Sequence, residues 1–141
     1  MAAKYMDWAR VNKRSWDRDE LSLKHLAKEF GGKRLDQVSA FHVERYKSRR
    51  RAEVAPATVN RELACLRHVF SKAIAWGLAG DNPVRKVRLF REDNQRLRFL
   101  TVEEFKNLVA CCPEHLRPLV IAAFHTGMRR GELLRLQWVD V

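Results

Sequence analysis

Residues 56–75 read PATVNRELACLRHVFSKAIA, and this stretch decides the fold of the chain. Val59, Leu63, Leu66, Phe70, Ala73 and Ile74 recur at spacings of three and four, the period that gathers apolar side chains on one face of an α-helix. Pro56 suits the first turn, where a missing backbone N–H leaves nothing unsatisfied. Gly77, Gly80 and then Asn82-Pro83 end the pattern. The opposite face carries Asn60, Arg61, Ala64, Arg67, His68 and Ser71. A helix with one apolar stripe must bury it against partners.

Those partners are legible upstream. Tyr5, Trp8 and Ala9 stand at helical spacing within residues 4–11. Ser15 and Asp17 suit the start of a second helix, in which Leu23, Leu26, Ala27 and Phe30 form a stripe that Gly31-Gly32 terminates. Ser39 reads as the N-cap of a third helix, with Val43 and Tyr46 inward. Its end is the basic run Lys47, Arg49, Arg50 and Arg51, which also suits the negative end of a helix dipole. Four helices in about 85 residues are enough to enclose a core.

Downstream the pattern changes. From Val84 to Arg98 there is charge but no clear core face, as in a linker. Leu100 then opens a second helical region, where Thr101 and Glu104 are spaced as a capping box and Phe105, Leu108 and Val109 follow as an inward face. Pro118 suits the start of a further helix. There Leu119, Val120, Ile121, Ala122, Ala123 and Phe124 are apolar on nearly every side, which predicts burial all round. About forty residues are too few to surround such a helix, so the expectation is that part of this domain is missing. The organisation expected is a four-helix domain over 1–86, a linker over 87–98 and a partial second domain over 99–141.

Charge is distributed unevenly. The chain carries a net charge of +11. Residues 1–90 hold 20 Lys and Arg against 10 Asp and Glu, whereas residues 91–141 hold 8 against 7. The basic excess therefore sits in the first domain and predicts a polyanionic partner. It is spread over several helices, unlike a basic membrane-surface helix. No apolar run approaches the roughly 18 residues of a membrane span, and Met1 to Arg14 lacks the apolar core of a signal peptide, so a cytoplasmic location is expected. Cys65, Cys111 and Cys112 lack metal-ligand spacing and read as free thiols. Neither a metal nor a cofactor is expected.

Two segments resemble the tyrosine recombinases of the phage-integrase type. The first runs from Ala57-Thr-Val-Asn-Arg-Glu-Leu through Phe70 and Ala75-Trp-Gly-Leu78 to Asn82-Pro-Val84. It is similar to the last helix and exit turn of that family's core-binding domain, which Gly31-Gly-Lys-Arg-Leu35 and Tyr46-Lys-Ser-Arg-Arg50 also fit. The second, Thr126-Gly-Met-Arg-Arg-Gly-Glu-Leu-Leu-Arg-Leu-Gln-Trp-Val-Asp140, is similar to the box around the family's first catalytic arginine. The two lie in the family's order, with a Leu100 to Phe105 domain start between them.

The resemblance implies a mainly α architecture: a SAM-like four-helix core-binding domain followed by a truncated, helical opening piece of the catalytic domain. It implies that Arg129 binds the scissile phosphate and that Glu132 orients it. A guanidinium suits this work because it donates paired hydrogen bonds and stays charged. An ordinary exposed ion pair is the alternative for these two residues, and a solvated surface is the reading for Arg130 and Arg135. The family's other catalytic groups, including its tyrosine nucleophile, lie downstream of this box. The only tyrosines here, Tyr5 and Tyr46, fall on inward positions. The chain alone is therefore expected not to cleave DNA.

Duplex DNA is the expected partner, gripped in the family by a clamp of the two domains. Lys13, Arg14, Arg49, Arg50 and Arg51 are candidate phosphate contacts. Thr58, Asn60 and Arg61 lie at the start of the fourth helix, where Asn60 and Arg61 suit base edges; Arg67 and His68 suit backbone or groove. For each, a merely solvated face is the alternative. The family's active assemblies are tetramers; a monomer is expected for this chain. Two other readings stay open: a stand-alone DNA-binding regulator derived from a recombinase, and a helical protein-interaction module.

Overall fold

Seven α-helices, joined by short 3-10 turns, make up the described part of the molecule, without a strand among the described residues. The structure, a computed structural model, describes residues 1–93 and 98–140. It divides into two compact units, Met1–Asn94 and Gln95–Val141.

The first unit holds α1 (Ala2–Asn12), α2 (Trp16–Phe30), α3 (Ala40–Arg51) and α4 (Pro56–Ala75). Helix α4 is the spine: α2 packs along it most extensively, and α1 and α3 rest on it as well. Because it is covered by three helices, its buried surface is wider than one stripe. Val59, Leu63, Leu66, Phe70 and Ala73 are buried as their spacing predicts, and Glu62, Cys65 and Val69 join them. Ile74 was expected inward and instead lies exposed, in the last turn where the helix outruns its partners. Tyr5, Tyr46, Val43 and Leu26 complete the centre.

The turn between α2 and α3 depends on its glycines. A Cβ on Gly31 would sit 2.3 Å from the Ala27 carbonyl oxygen, and Gly32 takes φ +77°. Both are geometries that other residues meet only with strain. After α4, Asn82 performs the chain reversal from inside: its Nδ2 donates to the Arg67 carbonyl at 2.9 Å and to Ser71 Oγ at 3.2 Å, while its Oδ1 accepts from Val84 N–H at 3.2 Å.

Beyond that turn the fold departs from the expected lack of a core face. Val84 and Val87 are buried, and Phe90 packs against the same core. The 3-10 turn Pro83–Lys86 explains why periodicity concealed this. With three residues per turn, positions three apart eclipse one another, so Val84 and Val87 share a side without an α-helical repeat. Packing of the first unit thus continues past residue 86. Residues 94–97 of the expected linker lie outside the described residues.

The second unit holds α5 (Val102–Cys111), α6 (Arg117–Thr126) and α7 (Arg130–Leu133). The capping box at α5 is formed as its sequence predicts: Glu104 N–H donates to Thr101 Oγ1 at 3.2 Å, and Thr101 N–H donates to Glu104 Oε2 at 2.9 Å. Phe105 and Phe124 stack with ring centroids 3.8 Å apart. The expected all-round burial of α6 is not met. Ile121 and Phe124 remain 41% and 42% exposed, because the main described neighbours of α6 are α5, a 3-10 turn and the four-residue α7, too little to enclose it.

Candidate nucleic-acid interface

A basic residue whose donors are already taken up within the fold has fewer left to offer a polyanion. The run at the end of α3 divides on this test. Arg50 is committed to the fold: its guanidinium donates twice from Nε and once from Nη2 to Glu62 at 2.9–3.2 Å, and from Nη1 to Glu53 at 2.6 Å. Glu62 also accepts the Tyr46 hydroxyl at 2.6 Å. These pairings hold the Arg50 guanidinium even more firmly protonated than usual, with the Glu62 bonds the main cause. Arg50, expected as a phosphate contact, thus has most of its donors occupied within the protein. It closes a buried polar network between α3 and α4.

Its neighbours behave differently because successive side chains on a helix point about 100° apart. Arg49 pairs with Glu29 at 2.8 Å, and Arg45 pairs with the same carboxylate at 2.9 Å. The Glu29 carboxyl is held below its usual range, chiefly by the Arg45 hydrogen bond. The Arg49 side chain still keeps 59% of its surface exposed. Arg51 is exposed and touches only the Val54 carbonyl, at 3.3 Å, leaving its charge uncompensated among the described residues.

A second cluster joins α1, α2 and α4. Tyr5 donates its hydroxyl to Asp19 at 2.7 Å, and His68 Nδ1 lies 2.8 Å from the same hydroxyl. One phenolic proton cannot serve both, so His68 Nδ1 carries the proton in this arrangement. Lys13 Nζ pairs with Asp19 at 2.5 Å. The tyrosine stays protonated far above its ordinary range, mainly through burial, and His68 is held below the usual histidine range by desolvation and then by Lys13. Lys72 lies over the Trp8 ring at 3.8 Å. Lys13 and His68, expected at DNA, are thus engaged in holding α1 to α2 and α4, although both keep part of their surface open.

Asn60 is the clearest correction. Expected at base edges, it is 6% exposed. Both ends of its amide bind the backbone of Phe90. Arg67 is half-buried, with its Nε enclosed and unpartnered among the described residues. Thr58 is half-buried at the start of α4. Arg14 and Arg61 are exposed, and neither has an ion-pair partner among the described residues. Sequence reasoning missed the acceptors Glu29 and Glu62; their apolar-side neighbours Phe30 and Leu63 offered the only hint.

The turn around Arg129 is built from Thr126 and Gly127. Gly127 takes φ +67° at the end of α6, and Thr126 Oγ1 donates to the Ala122 carbonyl at 2.6 Å while accepting Met128 N–H at 3.3 Å. This places Arg129 just before α7 with 88% of its side chain exposed. Glu132 accepts the Arg129 backbone N–H at 2.9 Å and its Nη1 at 3.1 Å. The guanidinium is thereby oriented while Nε and Nη2 stay available among the described residues. Arg130 is exposed, and Arg135 Nε donates to the Gly131 carbonyl at 2.8 Å.

Neither tyrosine is presented as a nucleophile. Tyr5 and Tyr46 are 0% and 2% exposed, and each donates to a carboxylate. The Cys65 thiol is pushed up to about 12 by burial. Among the described residues, no group of three or more His, Cys, Asp or Glu is arranged to hold a metal ion. No helix among them is long and apolar enough to cross a membrane.

Comparison with known proteins agrees with this geometry. A family model described as phage integrase, N-terminal domain, matches residues 2–91. The putative integrase of Pseudomonas phage Pf1 is 34% identical over 112 residues, covering 76% of this chain and 34% of that protein. The integrase of Escherichia phage P2 is 29% identical over 72% of this chain and 31% of its own length. A shufflon-specific DNA recombinase of Escherichia coli is 32% identical over 76% of this chain. The chain thus spans about a third of the length of these curated relatives. A crystal structure of a lambda integrase dimer bound to a COC' core site has the same fold, with a TM-score of 0.80 at 20% identity over 99% of this chain and 41% of that one. With its first unit matching the family over nearly its whole length, this chain belongs to the phage integrase family of tyrosine recombinases.

Proposed function

We propose that this chain is the DNA-binding portion of a tyrosine site-specific recombinase acting in DNA integration and recombination. The first unit grips duplex DNA at a core-type site. The second opens the catalytic domain, with Arg129 as the arginine that binds the scissile phosphate and Glu132 as the residue that orients it. The observation that carries the reading is a coincidence: the unit that matches the integrase family is also the unit that holds the basic excess. The names of the relatives and the DNA bound to lambda integrase point the same way.

Arg14, Arg51 and Arg61 are exposed and unpaired among the described residues, so they supply the free charge for phosphates. Arg49 adds to them by sharing Glu29 with Arg45, and the half-buried Arg67 lies on the same helix as Arg61. Arg61 is the residue best suited to a base edge, where a guanidinium can pair with guanine through two hydrogen bonds. Arg129 acts as a charged fork: Glu132 fixes one arm, and the remaining donors meet phosphate oxygens.

The test is fluorescence anisotropy on duplex DNA with the variant Arg14→Ala/Arg51→Ala/Arg61→Ala. The expected result is affinity at least about tenfold weaker and a salt slope flatter by about two to three, since each phosphate contact contributes about 0.9. Unchanged affinity and slope in the folded triple variant would sink the assignment.

A further inference from the structure

Asn60 is buried on the side of α4 that no apolar pattern marks, and what covers it is a chain segment thirty residues away. Its Nδ2 donates to the Phe90 carbonyl at 2.9 Å, and its Oδ1 accepts the Phe90 N–H at 2.9 Å. Nδ2 also donates to Glu92 Oε1 at 2.5 Å. The amide therefore satisfies both backbone groups of one residue, like the two-point exchange of a hydrogen-bonded pair in an antiparallel ladder. Phe90 is half-buried on the core, and Lys47 Nζ stands 4.9 Å from its ring centroid. Lys47 is steadied in turn by Glu44 at 3.1 Å.

We propose that Asn60, flanked by Lys47, is a positioning residue: a clasp that fastens the segment leaving the first unit to α4 as far as Glu92. Without it, the packed body would end at the 3-10 turn and Val87. Residues 88–92 carry Arg88 and Arg91, both exposed, so the clasp also holds two basic side chains beside the first unit's own charge. The inference stands on hydrogen bonding within the free chain and does not require the DNA-binding reading. An amide is needed because a carboxylate at this position could not donate to the Phe90 carbonyl and would face Glu92.

Hydrogen exchange at the Phe90 amide, with limited trypsin cleavage after Arg88 and Arg91, reads the clasp in the full chain without DNA. In the wild type, the Phe90 amide should be protected and both sites cut slowly. Asn60→Ala should speed Phe90 exchange and both cleavages by about fivefold or more, the worth of a typical hydrogen bond, while amides of Leu66 and Phe70 in α4 keep their rates. Lys47→Met, a milder change that should fold in any case, should give about a twofold effect in the same direction by weakening the cation-ring contact. A Phe90 amide that exchanges freely in the wild type would overturn the proposal. So would equal acceleration at Leu66 and Phe70, which would make Asn60 an ordinary core residue.

Discussion

The two units are equally helical but differ in how much they bury. In the first, Tyr5, Val43, Val59, Leu63 and Val84 are fully enclosed, and even the polar residues Asn60, Glu62 and Asn82 are buried with partners. In the second, no described residue reaches that state, and Phe105 and Phe124 stack while Phe124 stays exposed. The charges differ as well: the first unit buries the Arg50–Glu62 pair, with side chains 14% and 4% exposed, whereas Arg129 and Glu132 stand in the open. Helix formation follows local sequence in both units. Burial needs surfaces that face one another, and among the described residues only the first unit supplies them.

Core truncation should separate the units most strongly. Phe70→Ala should cost about 3–5 kcal/mol in urea unfolding, the usual range for a buried aromatic side chain. Phe124→Ala, already 42% exposed, should cost under about 1.5 kcal/mol. Equal losses would mean that α6 is as well enclosed as α4.

The next largest contrast lies within the basic run. Removing the Glu62 carboxylate as Glu62→Ala leaves the buried Tyr46 phenol without its acceptor and the Arg50 guanidinium with Glu53 alone, and should cost about 3 kcal/mol or more. Arg49→Ala removes the exposed partner of a pair and leaves Arg45 on the Glu29 carboxylate, so it should cost under about 1 kcal/mol in the same unfolding assay. Similar values for the two would erase the distinction between a structural and an available arginine.

Acid should act on the first unit through His68 and Glu29. Each has a folded-state pKa below its unfolded value, so each contribution to stability is complete above the unfolded pKa and is lost as pH falls through the folded one. The His68 loss should begin near its unfolded value of about 6.5 and the Glu29 loss near about 4.3. Melting temperature should therefore drop in two stages between pH 7 and 3, and His68→Gln should flatten the first. Arg129→Ala marks the small end of the scale: at 88% exposure it should change stability by less than about 0.5 kcal/mol.

Much of this was open to reading in the sequence, and the misses have more than one cause. The α4 stripe, the Gly31-Gly32 stop, the Thr101 capping box and the Gly127 turn are local, written within one or two turns of chain, and the structure shows each of them. Asn60 and Arg50 are different. Asn60 lies on the face that pattern leaves polar, yet Phe90 returns to cover it. Arg50 sits between two similar arginines, and only the approach of α4 decides that it meets Glu62. Val84 and Val87 hid for a third reason, a 3-10 repeat where an α repeat was sought. Contacts made across twelve to thirty residues leave no period in the sequence.

The free charge of the first unit is proposed to serve a DNA backbone. The direct measurement is affinity of the purified wild-type chain for duplex DNA across a salt series, with random-sequence competitor. The logarithm of the affinity should fall steeply and linearly with log salt, about 0.9 per phosphate engaged, with a residual preference among sequences. A folded chain that fails to bind duplex at low salt would contradict it.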